Sequence, residues 1–186
     1  SHIIKDSVFR LQKHIEDLLD FNIVLDSTSL QDSELIQIND VVLQVISDRK
    51  LDIKRKKLIF NKNLNDIALI SNRKQIAVII DNILSNAIKY SPDEGEISIS
   101  SSLSNEQLQL QISDQGIGIA QENQNKIFDA FYQGPPPEIS PIKGSGLGLT
   151  IVKELLLRLN GSIEVLNEPN DCQGTRIQIT LPRAFY

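Results

Sequence analysis

The stretch Asn72–Tyr90, NRKQIAVIIDNILSNAIKY, is the most strongly patterned part of the chain. Its apolar residues recur at steps of three and four, which is the spacing of one buried face of a helix. Those apolar residues are Ile76, Ile79, Ile80, Ile83, Leu84, Ala87 and Ile88. The pattern predicts a long helix that is covered by the core along one side.

A row of polar residues runs beside that face. Asn82, Asn86 and Lys89 follow one another at steps of four and three, so they share one side of the helix, and Tyr90 adjoins them. Asparagine is a mediocre helix former because its amide competes for backbone hydrogen bonds. The row is either a solvated polar face or a set of oxygen ligands for a hard cation with an ammonium for phosphate. The helix alone leaves both interpretations open.

The size and charge of the chain argue against several classes of protein. Its 186 residues are enough for one ordinary domain with an appendage and a real core. A net charge of −5 and a pI near 5.1 argue against a surface that binds nucleic acid or anionic membranes. The apolar runs are too short to span a membrane, and no signal peptide is visible.

Cysteine and histidine are scarce. Cys172 is the single cysteine, and His2 and His14 are the two histidines, so we expect no internal disulfide and no zinc cluster of these residue types. Methionine is absent even from the first position, and Ser1-His2 is typical of a cloning remnant. We therefore expect a fragment of a longer protein.

Residues 1–30 are predicted to form a long amphipathic helix and a linker. The helix carries a seam at alternating steps of four and three, as in a helix bundle or coiled coil. The seam consists of Ile4, Val8, Leu11, Ile15, Leu18, Asn22 and Leu25, with Asn22 as its polar layer. It needs a partner, either another helix of the protein or a second copy. The polar, turn-rich stretch Asp26–Ser33 marks the boundary to a main domain of residues 31–186.

Strand and helix signals alternate through the main domain. The predicted strands are Glu34–Asn39, Leu58–Leu64, Ile67–Ile70, Glu96–Leu103, Leu108–Ser113, Ser162–Asn167 and Thr175–Leu181, with a hairpin at Ser104–Glu106. The predicted helices are Asp40–Lys57, the opening stretch with Ser71 or Asn72 as its cap, and Leu147–Leu159, with a helix or turn at Asn125–Ala130. This order predicts an α+β fold, a two-layer sandwich with a mixed, mostly antiparallel sheet and helices on one face.

A basic run, Lys54-Arg55-Lys56-Lys57, closes the Asp40–Lys57 helix. Cations are favourable at a helix C-terminus, where the helix dipole is negative. Because the chain as a whole is acidic, we interpret the run as a solvated helix end rather than a binding patch.

A first glycine-bearing segment, Asp114–Ile119 (DQGIGI), directly follows a predicted strand. Gly116 and Gly118 let the backbone turn sharply and let a ligand approach closely. The carboxylate of Asp114 is suited to accept a hydrogen bond from an exocyclic amine such as that of adenine. An ordinary hairpin exit with Asp as turn former is an equal alternative.

A second such segment, Gly144–Leu149 (GSGLGL), leads into a helix, where free amide groups and the helix dipole can cradle phosphate. It lacks the closing Gly-Lys-Ser/Thr of a P-loop and does not follow a strand as a dinucleotide fingerprint does. Between the two segments, the loop Gln133–Lys143 carries four prolines and no apolar periodicity, so it cannot be core.

In this order the motifs resemble the C-terminal catalytic, ATP-binding domain of sensor histidine kinases. Asn82–Ser91 is similar to the N box of that family, Asp114–Ile119 and Gly144–Leu149 to its two glycine boxes, Phe128–Tyr132 to its F box, and Gly174-Thr175 to its closing pair. The similarity covers Glu34–Leu181 and implies a Bergerat-type ATP-binding fold. The helix containing Asp17–Asp20 resembles the second helix of the dimerisation and histidine-phosphotransfer hairpin.

The resemblance implies a role for each matched residue. Asn86 is expected to ligate Mg²⁺, Asn82 to contact phosphate or assist the metal, and Asp114 to accept the adenine amine. Phe128 and Phe131 are expected to anchor the proline loop, as an ATP lid, to the core, with plain core packing as the alternative. The expected ATP-binding residues are Asn82, Asn86, Lys89, Tyr90, Asp114, Gly116, Gly118, Ile119, Phe131, Lys143, Gly144, Ser145, Gly146, Leu147, Gly148, Leu149 and Thr175.

The activity that the resemblance implies is an ATP-dependent protein-histidine kinase of a two-component system. Such a protein is expected to be a homodimer through its N-terminal helix, to pass phosphate to a response regulator, to bind no nucleic acid, and to form the cytoplasmic part of a membrane sensor. The acceptor motif, a histidine with a following acidic residue and a nearby proline, is missing, since His14 lies in KHIED. No catalytic residue is therefore assigned, and this chain is expected to bind ATP without phosphorylating itself.

Two other functions share parts of this pattern. ATPases of the same fold use a glutamate one turn before the metal-binding asparagine as general base. Here that position is Asn82, which cannot take a proton, and Asp81 is rotated by about 100° around the helix. A nucleotide-sensing or dimerising module without catalysis is the other class, and the intact Asn86, Asp114 and glycine segments argue against it.

Overall fold

The computed structural model describes residues 33–134, 145–166 and 174–183, together with Val8, Ile15 and Leu19. These last three residues are helical and exposed, and two of them, Val8 and Ile15, belong to the predicted seam. The rest of the predicted N-terminal helix, the linker up to residue 32, Lys143 and Gly144 lie outside the described residues. The division into residues 1–30 and 31–186 stays a prediction.

Four helices and seven strands make up the described fold. They are β1 (Glu34–Gln37), α1 (Ile38–Asp48), α2 (Lys50–Arg55), β2 (Ile59–Asn63), β3 (Ala68–Ser71), α3 (Arg73–Tyr90), β4 (Glu96–Ser104), β5 (Gln107–Asp114), α4 (Gly148–Arg158), β6 (Ser162–Val165) and β7 (Thr175–Pro182). Short 3₁₀ turns lie at Gln121–Asn123 and Lys126–Phe128, and the second of these confirms the turn predicted at Asn125–Ala130.

The main sheet has five strands in the order β2-β4-β5-β7-β6. β2 pairs with β4 in parallel, and every other neighbouring pair in this sheet is antiparallel. β1 and β3 form a separate two-stranded antiparallel sheet, which periodicity did not predict. The α+β class and the mixed, mostly antiparallel sheet are confirmed.

The core lies between the apolar face of α3 and the inner face of the sheet. All seven apolar residues of the predicted face are at most 5% exposed. α3 packs against α1, α4 and β5, and inward side chains such as Ile99 and Leu110 cover it from the sheet. Each such buried side chain contributes about 1.5–3 kcal/mol of hydrophobic free energy. The helix that organises the sequence is therefore also the centre of the core.

Local signals also predicted the ends of elements. The side chain of Asn72 accepts a hydrogen bond from the N–H of Gln75 at 3.1 Å, which confirms the expected N-cap of α3. Asn105 and Glu106 both have positive φ, at 50° and 58°, as a two-residue hairpin turn between β4 and β5 requires.

The predicted helix Asp40–Lys57 was wrong in its extent. α1 already begins at Ile38, and a residue with φ −93° and ψ 6°, Arg49, separates it from α2. The apolar spacing runs through this break, so the sequence pattern could not show it. Because of this break, the residues that follow α2 lie near the C-terminus of α3.

Candidate functional site

The first part of the site is where α3 meets the start of α4. The Nδ2 of Asn82 donates to the carbonyl of Val78 at 2.9 Å, which orients the amide. Its Oδ1 faces α4 so closely that a Cβ on Gly148 would lie 2.6 Å from it. A Cβ at this helix start would therefore require the amide of Asn82 or the start of α4 to shift. The amide oxygen of Asn82 thus lies beside the N-terminus of α4, where backbone N–H groups are unpaired.

Asn86 lies one turn further along α3. Its side chain is half-buried and makes no hydrogen bond to any residue in the described part of the chain. Because an asparagine oxygen is a ligand that hard cations accept, this amide can bind a divalent metal ion.

Lys89 and Tyr90 complete the polar row at the C-terminal end of α3. The Nζ of Lys89 donates to Oη of Tyr90 at 3.0 Å and lies 4.6 Å from the centroid of the ring. This cation–π contact keeps the ammonium and the phenol together. The pair offers one positive charge and one flat ring at the same end of the helix, which suits a phosphorylated aromatic ligand.

Asp114 ends β5 between two strands, in register with Ile97 of β4 and Thr175 of β7. Its Oδ1 accepts hydrogen bonds from the N–H of Gly116 at 2.7 Å and of Thr175 at 3.3 Å. Its Oδ2 has no hydrogen-bond partner among the residues that the structure describes. Burial raises the pKa of Asp114 from 3.8 to about 6, although the two N–H groups partly offset that effect. Above that pH the free oxygen can act only as an acceptor.

The first glycine segment packs against the end of α3. A Cβ on Gly116 would lie 2.6 Å from the carbonyl oxygen of Tyr90 and 2.7 Å from Oδ1 of Asp114. Gly174, at the start of β7, donates its N–H to the carbonyl of Gly116 at 2.8 Å. These contacts join Asp114, Thr175 and the C-terminus of α3 into one connected surface, which we call the Asp114 wall. Gly118 and Ile119 continue the loop after β5 and are half-buried.

The two ends of the proline-rich segment are tied together. The N–H of Phe131 donates to the carbonyl of Gly146 at 2.9 Å, and Oγ1 of Thr150 donates to the carbonyl of Phe128 at 3.1 Å. Ser145 is buried, and its Oγ accepts from the N–H of Leu147 at 3.2 Å. Leu147 and Leu149 pack against the core at the start of α4.

One expectation for Phe131 is corrected here. Phe131 is 68% exposed and its φ is +64°, so its side chain does not pack in the core. Its backbone N–H donates to the carbonyl of Gly146 instead, and the half-buried Phe128 accepts the bond from Thr150 of α4. Whether Phe131 contacts a nucleotide stays a prediction.

The interpretation of the basic run as a solvated end was wrong for Lys56. Its Nζ donates to the carbonyls of Ile88, Lys89 and Ser91 at 2.9, 3.0 and 2.6 Å. No local period could have shown this contact, because more than 30 residues separate Lys56 from its partners along the chain. Only one signal in the sequence concerned Lys56, a lysine next to a predicted strand, and such a lysine is too common to indicate a particular contact.

Asp81, the carboxylate adjacent to Asn82, is engaged on another side of α3. Arg49 donates from Nε to its Oδ1 at 2.6 Å and from Nη2 to its Oδ2. This two-bond pair holds the junction of α1 and α2 onto α3. The carboxylate is therefore directed towards that junction, as the rotation around the helix predicted.

Among the described residues, none of the helices is both long and apolar enough to cross a membrane. The same residues contain no group of three or more His, Cys, Asp or Glu side chains that could hold a metal ion.

Comparisons with known proteins agree with this geometry. A family model described as histidine kinase-, DNA gyrase B-, and HSP90-like ATPase matches residues 71–184, a range that contains every described site residue. The chain is 30% identical over 177 residues to the sensor histidine kinase GlrK of Escherichia coli (strain K12), covering 95% of this chain and 37% of GlrK. It is 32% identical over 185 residues to the sensor histidine kinase WalK of Bacillus subtilis (strain 168), covering 97% of this chain and 30% of WalK.

A solved structure shows the same fold. The mycobacterial sensor histidine kinase MprB superimposes with a TM-score of 0.70 at 25% identity, and the match covers 83% of this chain and 99% of that one. The chain spans only 37% and 30% of the lengths of GlrK and WalK. It belongs to the family of histidine kinase-, DNA gyrase B- and HSP90-like ATPases, as an ATP-binding domain of the sensor histidine kinase type.

Proposed function

We propose that the surface between α3, the first glycine segment and the start of α4 binds Mg-ATP, and that the parent protein transfers the γ-phosphate to a histidine. The observation that carries the proposal is the amide of Asn86, half-buried and without a hydrogen bond to the described residues. An asparagine amide without a protein partner on this surface leaves its oxygen available to a ligand, and a hard cation accepts such an oxygen.

The residues present fit a magnesium ion. Asn86 would hold it through Oδ1, and Asn82 offers a second amide oxygen beside the start of α4. Bound Mg²⁺ would supply positive charge at the phosphate oxygens. The described residues offer no carboxylate cluster for this purpose, so amide oxygens and substrate phosphates would be the main ligands.

The nucleotide base is assigned to the Asp114 wall. One carboxylate oxygen is held by the N–H groups of Gly116 and Thr175, which leaves the other to accept from the amine of adenine. Guanine carries a carbonyl at the corresponding position, which an ionised carboxylate would repel. The wall therefore favours adenine over guanine.

The phosphates are assigned to Lys89 and to the N-terminus of α4. The ammonium of Lys89 neutralises charge, and the free N–H groups at the helix start donate to phosphate oxygens. The expected roles of Lys143, Gly144 and Gly146 in wrapping the phosphates belong to the same proposal. Phosphoryl transfer needs mainly positioning and charge neutralisation, which these groups provide.

The site favours transfer to an external acceptor over hydrolysis. Asn82 stands where an ATPase of this fold needs a base, and the carboxylate of Asp81 is bound by Arg49. With no general base on this face of α3, water is not activated. The nucleophile is proposed to be a histidine on a helical segment of the parent protein.

The parent protein is proposed to be a membrane sensor with this domain on its cytoplasmic side. The helix predicted within residues 1–30 would dimerise with a second copy, and the phosphohistidine would pass phosphate to a response regulator. Support comes from the names of the relatives, GlrK and WalK, both sensor histidine kinases that are much longer than this chain.

The test is a phosphotransfer assay with the full-length parent protein and radiolabelled ATP. The proposal predicts acid-labile, base-stable phosphate on the protein, which is the signature of phosphohistidine, and predicts its loss in an Asn86→Ala variant. ATP binding without any such phosphate would support a nucleotide-sensing module instead. Release of inorganic phosphate at the same rate in the absence of an acceptor helix would support an ATPase.

A further inference from the structure

The C-terminus of α3 is held by a side chain from a distant part of the chain. The ammonium of Lys56 donates to the carbonyls of Ile88, Lys89 and Ser91, so all three of its N–H groups are used. The last carbonyls of a helix have no partner within it, and a cation is favourable there. Lys56 therefore supplies hydrogen bonds to the last carbonyls of α3, the helix that carries the polar row.

The carbonyls that Lys56 binds lie at the site residues Lys89 and Tyr90. One belongs to Lys89, and the other two belong to its neighbours Ile88 and Ser91. The carbonyl of Tyr90 lies against Gly116 with no room for a Cβ between them. A shift of this helix end would move the ammonium of Lys89, the ring of Tyr90 and the turn after Asp114 together.

Lys56 is fixed at its backbone as well as at its ammonium. Its carbonyl accepts from the N–H of Glu94 at 2.7 Å, and the N–H of Ile59 donates to the carbonyl of Gly95 at 2.9 Å. The turn after α3 is thus bound to the segment after α2 on two sides. Burial lowers the pKa of Lys56, an effect that Asp93 partly opposes, as expected for a partly buried ammonium.

We propose that Lys56 is a positioning residue for the nucleotide site, which fixes the end of α3 so that Lys89 meets the phosphates. The inference rests on the proposed function. The alternative is that Lys56 only stabilises the fold, as any cap does. If Lys56 is only a structural cap, its removal lowers the thermal midpoint but leaves the affinity of the folded protein unchanged. Measuring both quantities therefore separates the two roles.

The experiment compares three substitutions in the whole chain by calorimetric titration with Mg-ATP, at a temperature where each variant is fully folded. Lys56→Met removes all donors, Lys56→Arg keeps donors that can reach carbonyls, and Lys54→Met is the matched control in the same basic run. Lys54 is exposed, and its ammonium has no partner among the described residues. If Lys56→Met does not fold, Lys56→Gln replaces it, with the same expectation.

Lys56→Met is expected to bind Mg-ATP about tenfold more weakly than the parent chain, a change of about 1.4 kcal/mol. Lys56→Arg should stay within about threefold of the parent affinity, and Lys54→Met should match it. In a Lys89→Ala background, Lys56→Met should cause a clearly smaller further loss, at most about threefold, because the main group that it positions is gone.

Two results would overturn the inference while leaving the proposed function intact. One is a Lys56→Met variant with parent affinity and only a lowered thermal midpoint. The other is an equal tenfold loss with and without Lys89, which would show that Lys56 does not act through that side chain. If the folded parent chain does not bind Mg-ATP at all, the proposed function fails, and the inference fails with it.

Discussion

The two sides of α3 differ in what holds them in place. The apolar face is buried by many interchangeable contacts with α1, α4 and the sheet. The residues of the polar row instead differ in their surroundings: Asn82 faces Gly148, Lys89 contacts Tyr90, and Asn86 has no hydrogen-bond partner among the described residues. The face that builds the core and the row that builds the site can therefore be perturbed separately.

The largest effect is expected on the core side. Ile80→Ala should lower the free energy of unfolding by about 2–5 kcal/mol, because Ile80 is fully buried and its removal leaves a cavity. Urea denaturation measures this change. The control is Ile59→Ala on β2, which is 57% exposed and should change stability by less than about 0.5 kcal/mol. Equal effects at the two positions would mean that α3 is not the centre of the core.

On the polar side, Asn86→Ala should lower the affinity for ATP in the presence of Mg²⁺ at least about 100-fold, or about 2.7 kcal/mol, since it removes the proposed metal ligand. The urea midpoint should not change, because the amide makes no contact that the fold needs. Asn63→Ala, at an exposed position of β2, is the control. Unchanged affinity in the Asn86 variant would remove its metal role.

A smaller loss is expected where the two helices touch. Gly148→Ala would place a Cβ 2.6 Å from Oδ1 of Asn82, so the amide or the start of α4 must shift. We expect affinity for Mg-ATP to fall about tenfold. The control is Leu157→Ala on the same helix, which is 60% exposed and should bind as the parent chain does. Parent affinity in Gly148→Ala would show that the position of Asn82 does not matter.

The last effect, of the same size as that of Gly148→Ala, concerns pH. The pKa of Asp114 is about 6 in the folded chain, so about nine-tenths of this carboxyl is protonated at pH 5. A protonated oxygen presents a hydrogen to the adenine amine, so affinity for Mg-ATP should fall about tenfold between pH 7 and pH 5. Asp114→Asn should lose this dependence and also discriminate less between adenine and guanine. The same pH dependence in both proteins would locate the titrating group elsewhere.

Stability should follow the opposite course in the same pH range. Below pH 3.8 both the folded and the unfolded chain carry the proton on Asp114, and between 3.8 and about 6 only the folded chain does. The contribution of Asp114 to the free energy of unfolding is therefore largest at low pH and decreases as pH rises through this window. Subtracting the denaturation data of Asp114→Asn from those of the parent chain isolates this contribution.

The sequence was informative wherever a local period or a local cap carries the structure. The buried face of α3, its Asn72 cap and the turn at Asn105 and Glu106 were predicted correctly for this reason. The candidate site residues came from motif order, and the structure brings several of them into contact: Gly148 with Asn82, and Thr175 with Asp114.

Features that depend on contacts between distant residues were not predictable in this way. The parallel pairing of β2 with β4, the separate sheet of β1 and β3, and the bonds from Lys56 and Arg49 to α3 all join residues far apart in the sequence. Phe131 was misjudged because an aromatic residue in a motif suggests packing, whereas its backbone makes the contact. The periodicity of a helix shows which of its faces is buried, but not which distant residues pack against that face.

A calorimetric titration of the chain with ATP, once with Mg²⁺ and once with a chelator, examines the whole arrangement at once. We predict saturable binding of one nucleotide per chain with Mg²⁺, and binding weaker by about 100-fold or more when the metal is removed. No detectable binding of Mg-ATP at millimolar concentration would contradict the assignment of this surface to the nucleotide.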